Sequence, residues 1–158
     1  MKTIVVWRLC AERVVPMAFS GEGSFVDGGR WNPPGVRVVY CSESRSLAAL
    51  EVLANARKNL FAGPRHWFVI SMEIPTLHVE HPSSIPEDWR LYPYSPATQA
   101  FGANWIREGR NAVLRVPSAM VPGEFNFMLN PAHPDFRHLK PGKPEPFFFD
   151  PRLGISAP

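Results

Sequence analysis

The sequence predicts an α+β domain in which many short strands accompany two modest helices. Its apolar runs are short, and they follow one another without the regular strand–helix–strand alternation of a doubly wound sheet. Hydrophobic residues make up 45% and charged residues 20% of the 158 residues, which is the balance of a globular protein. The 18 prolines predict irregular loops with fixed backbone angles. We therefore expect one compact domain over residues 1–158.

Two strands and a helix are predicted near the start of the chain. The β-branched runs Ile4–Leu9 and Val36–Cys41 indicate strands. Ser44–Ala56 indicates a helix, because it opens with serines that can cap it and continues with good helix formers. Glu51 is the one polar residue between Leu47 and Ala54, so this helix is expected to be buried on nearly every face.

The rest of the chain predicts a second helix and several further strands. Ser95 and Pro96 form the favoured cap-then-proline start of a helix, and Gly109 predicts its end. A loop rich in proline and aromatic residues precedes this helix over His81–Tyr94. Strands are expected at Trp67–Ile74, Ala112–Val116, Phe125–Leu129 and Phe147–Phe149.

Charge, cysteine content and the first residues limit the classes of function. A net charge of +3 tolerates anionic ligands, but it is not the dense basic field of a nucleic-acid binder. Cys10 and Cys41 are too few for a disulfide framework or a four-ligand zinc site, and both are expected to be buried thiols. The apolar run before Arg8 is too short for a signal peptide or a membrane span. We therefore expect a soluble, cytoplasmic protein.

A paired glycine followed by an arginine is the first candidate for a ligand site. Gly28 and Gly29 allow a sharp turn or a close approach to a ligand, and Arg30 would present its planar fork to phosphate oxygens. Tyr40, at a predicted strand end, could lay its ring against a flat heteroaromatic ligand. The alternatives are a plain turn with a solvated arginine, and a core tyrosine with a satisfied hydroxyl group.

Three further polar residues stand out. A carboxylate in an apolar helix costs free energy, so Glu51 is either the ion-pair partner of an arginine or a group that stabilises positive charge at an anomeric carbon. Ser118 follows a predicted strand without a Gly-x-Ser-x-Gly elbow, so it is expected to hydrogen-bond a ligand or the backbone rather than act as a nucleophile. Asn130, before Pro131, is either a turn residue or a ligand contact.

The histidines and glycine motifs point to neither a metal nor a bound dinucleotide cofactor. The chain has no phosphate-binding Gly-x-x-x-x-Gly-Lys loop and no dinucleotide fingerprint that leads a β-α-β unit. Nor is there a His-x-x-x-His or similar pair, so we expect no metal site. The five histidines are His66, His78, His81, His133 and His138.

The order and spacing of several short runs resemble the RES domain along nearly the whole chain. These runs are WR at 7–8, FSGEG at 19–23, GGRWN at 28–32, VYCS at 39–42, LAALE at 47–51, VPS at 116–118, LNP at 129–131 and FDPRL at 149–153. The family is named for an arginine, a glutamate and a serine. Arg30, Glu51 and Ser118 are the residues that match them here.

This resemblance implies a fold and an activity. The fold would be that of the ADP-ribosyltransferase toxins, with a split, twisted and mainly antiparallel sheet that holds NAD in a cleft. NAD would be the substrate and not a cofactor, and it would be consumed by hydrolysis or phosphorolysis. The implied partner is an Xre-like helix-turn-helix antitoxin of a type II toxin–antitoxin pair. Both a homodimer and a hetero-oligomer with the antitoxin are compatible with this resemblance, which leaves the oligomeric state open.

The resemblance also suggests residue roles. Glu51 would stand near the ribose, Arg30 would hold the pyrophosphate, and Tyr40 would orient the nicotinamide, which makes these three the candidate catalytic residues. Water, phosphate or an acceptor side chain would then attack the ribose. The candidate substrate-binding residues are Arg8, Arg30, Tyr40, Ser118 and Asn130.

Two other functions compete with NAD degradation. A protein ADP-ribosyltransferase would use the same residues and would differ in how water is excluded from the cleft. A non-catalytic module could bind nucleic acid or a partner by stacking on Trp89, Tyr92 and Tyr94. The modest net charge argues against that module, because binding to a phosphate backbone needs clustered lysine and arginine.

Overall fold

The predicted α+β class is confirmed by a computed structural model that describes residues 1–55 and 66–153. Short 3₁₀ helices lie at Glu12–Met17, Thr76–His78, Pro134–His138 and Pro151–Leu153. The α-helices are α1 (Glu22–Asp27), α2 (Arg45–Asn55) and α3 (Pro96–Glu108). The strands are β1 (Thr3–Ala11), β2 (Val39–Ser42), β3 (Trp67–Pro75), β4 (Val79–Glu80), β5 (Val113–Pro117), β6 (Phe125–Leu129), β7 (Lys140–Pro141) and β8 (Glu145–Phe147).

The sheet is split into two halves that meet at one residue pair. Its strand order is β4-β5-β6-β2-β1-β3-β7, with β8 also paired to β3, and among the described strands only β4 and β5 pair in parallel. β1 and β3 pair along their whole length, whereas β1 and β2 are joined only where Trp7 faces Ser42. The split, mainly antiparallel core expected from the resemblance is therefore present.

The two halves share one apolar core. Side chains alternate across each strand, so every second residue of both halves can point to this shared layer. Val6 and Met72 come from one half, and Val39, Val113 and Leu129 come from the other. All five are almost completely buried. This core holds the halves together although their backbones are joined at a single pair.

Each half-sheet turns one face to the shared core, and its other face is covered by one of the two longer helices. Ala48 of α2 packs with Leu9 and Val69 on the β1–β3 half. Trp105 of α3 packs with Leu114 and other side chains of the second half. The helices therefore lie on the outside of the two half-sheets and can carry polar groups to the ends of the strands.

Helix α3 begins and ends as predicted, whereas α2 is less buried than expected. The Ser95 hydroxyl accepts the Ala97 N–H, and Gly109 takes the left-handed conformation at the C-cap. In α2 only Leu47 and Ala48 are buried, and Leu50 is 39% exposed. The expected burial on nearly every face is wrong, because α2 packs along one side only. The predicted last residue, Ala56, lies outside the described residues.

Two predicted strands are shifted along the chain. β2 begins at Val39 rather than Val36, because the preceding segment is held by a side chain: the Val38 N–H donates to the Ser24 hydroxyl group. The final strand, β8, ends at Phe147, and the ring of Phe149 packs edge-on against Trp67 instead. Within residues 1–55 and 66–153, no helix combines the length and apolar character that a bilayer crossing requires.

Candidate active site

The carboxylate of Glu51 lies in a network of polar side chains that bridges α2 and the second half-sheet. Its Oε1 accepts a hydrogen bond from Asn126 Nδ2 at 2.6 Å and from the Ser118 hydroxyl group at 3.2 Å. The partners of this carboxylate in the described part of the chain are therefore neutral. This geometry does not match the alternative of a structural ion pair with an arginine.

The hydroxyl group of Ser118 is fixed by its own partners. Its oxygen accepts the N–H groups of Met120 at 3.0 Å and Val121 at 3.2 Å, so its proton is the one directed to Glu51. A serine that donates to a carboxylate and accepts from two backbone groups orients that carboxylate. The geometry agrees with the prediction that Ser118 forms hydrogen bonds rather than serving as a nucleophile.

Asn126 is a site residue that the sequence reasoning missed. Its amide donates to Glu51, and its Oδ1 accepts the hydroxyl group of Ser42 at 2.7 Å. Ser42 pairs with Trp7 at the single junction of the two half-sheets. Glu51, Ser118, Asn126 and Ser42 form what we call the Glu51 network. It lies where the two half-sheets join, at the pair of Trp7 and Ser42, which we call the seam. A polar residue inside the apolar strand Phe125–Leu129 was the signal that could have found Asn126.

Arg8 lies beside this seam with part of its guanidinium buried. Its Nη1 donates to the carbonyl of Tyr40 at 3.0 Å, whereas its buried Nε has no hydrogen-bond partner among the described residues. A buried N–H without a partner costs free energy, and this atom has almost no accessible surface through which a ligand could reach it. Arg8 therefore brings a positive charge to the seam, with its Nη1 held by the Tyr40 carbonyl.

The two cysteines lie next to Arg8 and are free, buried thiols, as predicted. Burial raises the pKa of Cys41 to about 12, with Arg8 acting in the opposite direction. The pKa of Cys10 is raised for the same reason. Both thiols therefore remain protonated at neutral pH and are poor nucleophiles.

Arg30 is not a solvated arginine, because it binds the aromatic loop His81–Tyr94. Its Nη1 donates to the carbonyls of Trp89 at 2.7 Å and Leu91 at 3.0 Å. Its guanidinium carbon lies 5.0 Å from the centre of the Tyr94 ring. Arg30 therefore fixes this loop against the turn at Gly28 and Gly29, and Nη1 is the nitrogen that both hydrogen bonds use.

Tyr94, which the sequence suggested only as a stacking residue of the competing binding module, is a second residue of this site. Burial raises the pKa of Tyr94, and the charge of Arg30 acts in the opposite direction. The Tyr94 hydroxyl group donates to Asn55 Oδ1 at the end of α2, at 3.0 Å. Tyr94 thus links the aromatic loop to the helix that carries Glu51.

Tyr40 hydrogen-bonds the segment that follows the turn at Gly28 and Gly29. Its hydroxyl group donates to Asn32 Oδ1 at 2.6 Å and accepts the Trp31 N–H at 3.3 Å. Burial raises its pKa far above the usual value. A Cβ at Gly29 would stand 3.1 Å from the Tyr40 oxygen, so the close approach predicted for this glycine is made to Tyr40. The hydroxyl group is satisfied, as in the alternative of a core tyrosine, although Tyr40 is only partly buried.

The structure places Asn130 apart from the other candidates. Ser118 and Asn126 lie at one end of the β5–β6 pair, and Asn130 follows the other end of β6, about 13 Å away along the strand. Its Oδ1 accepts the Ala132 N–H at 3.1 Å, and its backbone N–H donates to Ala112. These contacts are those of a turn residue, which was the alternative for Asn130.

The aromatic residues proposed as a stacking surface have different environments. The ring of Trp89 stacks on Trp31 at 5.9 Å and belongs to the core beneath α3. Tyr94 contacts Arg30, whereas Tyr92 is 81% exposed. The three rings therefore do not form one open platform for bases.

The comparisons with known proteins agree with one another. Residues 5–150 match the family model described as the RES domain. A protein of Sphingobium sp. (strain YBL2) named "Prs ADP-ribosylating toxin" is 35% identical over an alignment of 158 positions, which covers 96% of this chain and 97% of that protein. A protein of Yersinia enterocolitica named "Toxin Res" is 33% identical over 151 residues, and the match covers 95% of this chain and 99% of that protein.

A solved structure shows the same fold. It is that of the M. tuberculosis MbcT–MbcA toxin–antitoxin complex, which matches with a TM-score of 0.72 at 17% identity. The match covers 96% of this chain and 87% of the other.

Proposed function

This chain belongs to the RES-domain family, and we propose that it is the toxin of a bacterial toxin–antitoxin pair that cleaves the nicotinamide–ribose bond of NAD. One observation carries the proposal: the Glu51 carboxylate is held by Ser118 and Asn126 at the seam of the two half-sheets. Arg8 donates to the Tyr40 carbonyl on β2, and Arg30 contacts the ring of Tyr94, whose hydroxyl group donates to Asn55 on α2. A fixed carboxylate with cationic groups nearby suits a substrate that combines a ribose with a pyrophosphate.

The carboxylate would act on charge that develops at the ribose. Departure of neutral nicotinamide leaves positive charge on the anomeric carbon and the ring oxygen, and a preorganised anion stabilises that charge. Ser118 and Asn126 both bind Oε1, so Oε2 is the oxygen that we assign to the ribose. Because the donors hold the carboxylate in place, little reorganisation is needed when the bond breaks.

The arginines would bind the pyrophosphate. Arg8 would contribute its positive charge beside the seam, and Arg30 would contribute the guanidinium nitrogens that the aromatic loop does not occupy. Tyr40 would act mainly by positioning, since its hydroxyl group is engaged with the turn that presents Arg30. NAD is thus the substrate of this proposal, and water or inorganic phosphate is the group that attacks the ribose afterwards.

Transfer of ADP-ribose to a protein is the second candidate. The name of the Sphingobium relative, an ADP-ribosylating toxin, favours it. The bond broken is the same, and the two activities differ only in whether water, phosphate or an acceptor side chain forms the new bond. The Glu51 network serves either outcome.

We further propose that a separate antitoxin chain with an Xre-like helix-turn-helix domain inhibits this site. The similar fold of MbcT was solved in a toxin–antitoxin complex. An inhibitor that fills the cleft could place a carboxylate, such as its own C-terminus, against Arg30. That group would occupy the position assigned to the NAD pyrophosphate.

The experiment is an assay of nicotinamide release from NAD by the purified protein. The assay is run in buffer, with inorganic phosphate and with a cell lysate. Hydrolysis gives ADP-ribose, phosphorolysis gives ADP-ribose 1-phosphate, and transfer to a protein in the lysate gives ADP-ribosylated protein. Glu51→Gln should fold and release nicotinamide at least about 100-fold more slowly, a loss of roughly 3 kcal/mol of transition-state stabilisation. Glu43→Gln, a change at an exposed carboxylate eight residues away, is the matched control.

The results separate the candidates. Nicotinamide release in buffer or with phosphate supports degradation, whereas release that depends on lysate supports protein modification. If the parent protein leaves NAD intact in all three conditions, or if Glu51→Gln keeps the parent rate, the proposal is wrong.

A further inference from the structure

Two histidines and an aspartate that lie far apart in the sequence meet away from the Glu51 network. They are His78, Asp135 and His138, and their side-chain ligand atoms all lie within 4.8 Å of one another. His78 ends the 3₁₀ turn that follows β3, whereas Asp135 and His138 lie on the 3₁₀ helix after β6. Residues three apart in a 3₁₀ helix are eclipsed, so Asp135 and His138 project from the same face.

The distances between the ligand atoms are compatible with a shared ion as well as with two His–Asp ion pairs. Asp135 Oδ2 lies 3.6 Å from His78 Nδ1, and Asp135 Oδ1 lies 3.6 Å from His138 Nδ1. Both distances are too long for a good hydrogen bond. Ligands placed about 2.0–2.2 Å from a tetrahedral zinc ion stand roughly 3.4 Å apart, so small side-chain rotations would complete the geometry.

The two imidazole rings stack, so one of them must turn before both Nδ1 lone pairs can meet at one ion, and the exposed His138 ring is the one free to do so. The rings of His78 and His138 stack with centroids 5.3 Å apart and planes 19° apart, and the Nδ1 atoms of both lie near Asp135. His78 is buried, whereas His138 and Asp135 are partly open to solvent. One ligand is therefore fixed by packing, and two can adjust around an ion.

A third histidine in the neighbourhood is committed to another task. The Nδ1 of His133 accepts the backbone N–H of Asp135 at 3.1 Å, and its Nε2 lies 3.1 Å from the carbonyl of Gly109. Its Nδ1 lone pair is thus occupied, although that atom lies 3.9 Å from the Asp135 carboxylate. His133 caps the 3₁₀ helix and orients Asp135, and it is not a ligand.

We propose that His78, Asp135 and His138 form a zinc site with two nitrogen ligands and one oxygen ligand. Imidazole with carboxylate suits Zn²⁺ better than Mg²⁺ or Ca²⁺, which prefer sites made only of oxygen. The fourth position would be taken by water or a small anion on the side of a groove of about 500 Å³. Arg137 and Lys140 border this groove together with Glu73, so their excess positive charge favours an anion there.

The position of the cluster defines what the ion would do. The Thr76–His78 turn connects β3 of one half-sheet to β4 of the other, and the ion would tie this turn to the segment that follows β6. Leu139 and Val79, next to the ligands, belong to the core shared by the halves. The ion would therefore stabilise the closure of the two halves without touching Glu51.

The test is binding of Zn²⁺ and Co²⁺ to tag-free protein that has been treated with chelator. Calorimetry should give one Zn²⁺ per chain, and the Co²⁺ complex should show the intense visible absorption of four-coordinate cobalt. Free Zn²⁺ at about 100 times its Kd should raise the Tm by roughly 5–10 °C. Nicotinamide release should be unchanged by the metal or by its removal.

Variants identify the ligands. His138→Ala and Asp135→Asn should each weaken Zn²⁺ binding at least 100-fold and abolish the shift in Tm. Both positions are partly exposed, so these variants should fold, and their metal-free Tm checks this. His66→Ala, a change at an exposed histidine elsewhere, should bind Zn²⁺ like the parent. The zinc site is refuted if the parent binds neither ion below about 10 μM, or if the ligand variants bind like the parent.

Discussion

At the scale of single residues, the orientation of one hydroxyl group links the fold to the proposed chemistry. The Ser118 oxygen accepts hydrogen bonds from two backbone N–H groups, so its proton is directed at the Glu51 carboxylate. Removal of this hydroxyl group would loosen the carboxylate and leave two N–H groups without their acceptor. Ser118 is therefore a positioning residue in the proposed mechanism.

Ser118→Ala should lower the kcat for nicotinamide release by about tenfold or more while KM changes little, because the carboxylate is misplaced and the phosphate contacts remain. The free energy of unfolding should fall by roughly 1–3 kcal/mol. Steady-state kinetics and urea unfolding measure both, with Ser46→Ala as the surface control. A raised KM with unchanged kcat would instead make Ser118 a ligand contact.

A second residue-scale consequence concerns Cys41 and alkaline pH. Its pKa is about 12 in the folded protein against an ordinary value of 9.0, so the folded state keeps this proton more tightly than the unfolded state does. Its contribution to stability is thus complete below pH 9 and is lost as the pH rises toward 12.

Between pH 7.5 and 10.5 the parent should lose about 2 kcal/mol more unfolding free energy than Cys41→Ala does. Urea titrations under reducing conditions at the two pH values measure the difference. The parent and the variant share every other titrating group, so equal losses would show that the Cys41 thiol titrates normally.

At the scale of elements, helix α3 is the surface on which the Arg30 turn is built. Gln99 Nε2 donates to the carbonyls of Gly29 at 2.9 Å and Asn32 at 3.2 Å. One turn further along α3, a Cβ at Gly102 would overlap the carbonyl oxygen of Trp31. The helix and the turn are therefore in backbone contact, and no side chain fits between them.

Gly102→Ala should lower the free energy of unfolding by about 3 kcal/mol or more, because neither backbone can yield without moving the turn. Any folded fraction should bind NAD more weakly, since Arg30 moves with the turn. Gly23→Ala in α1 is the matched control: a Cβ there meets nothing within 4 Å, so stability should be equal or slightly higher. Equal stability of the two variants would contradict the contact.

The elements also show what the sequence could and could not predict. Local signals were sufficient for α3, whose Ser95 cap and Gly109 end are residue-level features. Glu51 and Ser118 stood out because each is a polar residue in or beside an apolar element. Asn126 and Tyr94 acquire their roles only through contacts with α2, which folding brings to them across the seam. The spacing of residues along the chain does not indicate such contacts.

At the scale of the whole molecule, the proposed activity would be harmful to the cell that makes it. Expression of this chain alone in a bacterium should stop growth while cellular NAD falls, and co-expression of the neighbouring helix-turn-helix protein should restore both. Growth curves and NAD measured at the same time points test this. Expression of Glu51→Gln is the control. If growth stops while NAD stays level, NAD depletion is not the cause.

The joining of the two half-sheets at the seam determines when, during synthesis, the chain could become toxic. Glu51 lies in the first third of the chain, whereas Ser118 and Asn126, which hold its carboxylate, lie in the last third. During synthesis the carboxylate is made long before its donors, and the second half-sheet cannot form until β5 and β6 have left the ribosome. On the proposed function, a nascent chain, or one cut short before residue 118, is therefore harmless. Inhibition by a partner is needed only once these two strands have folded.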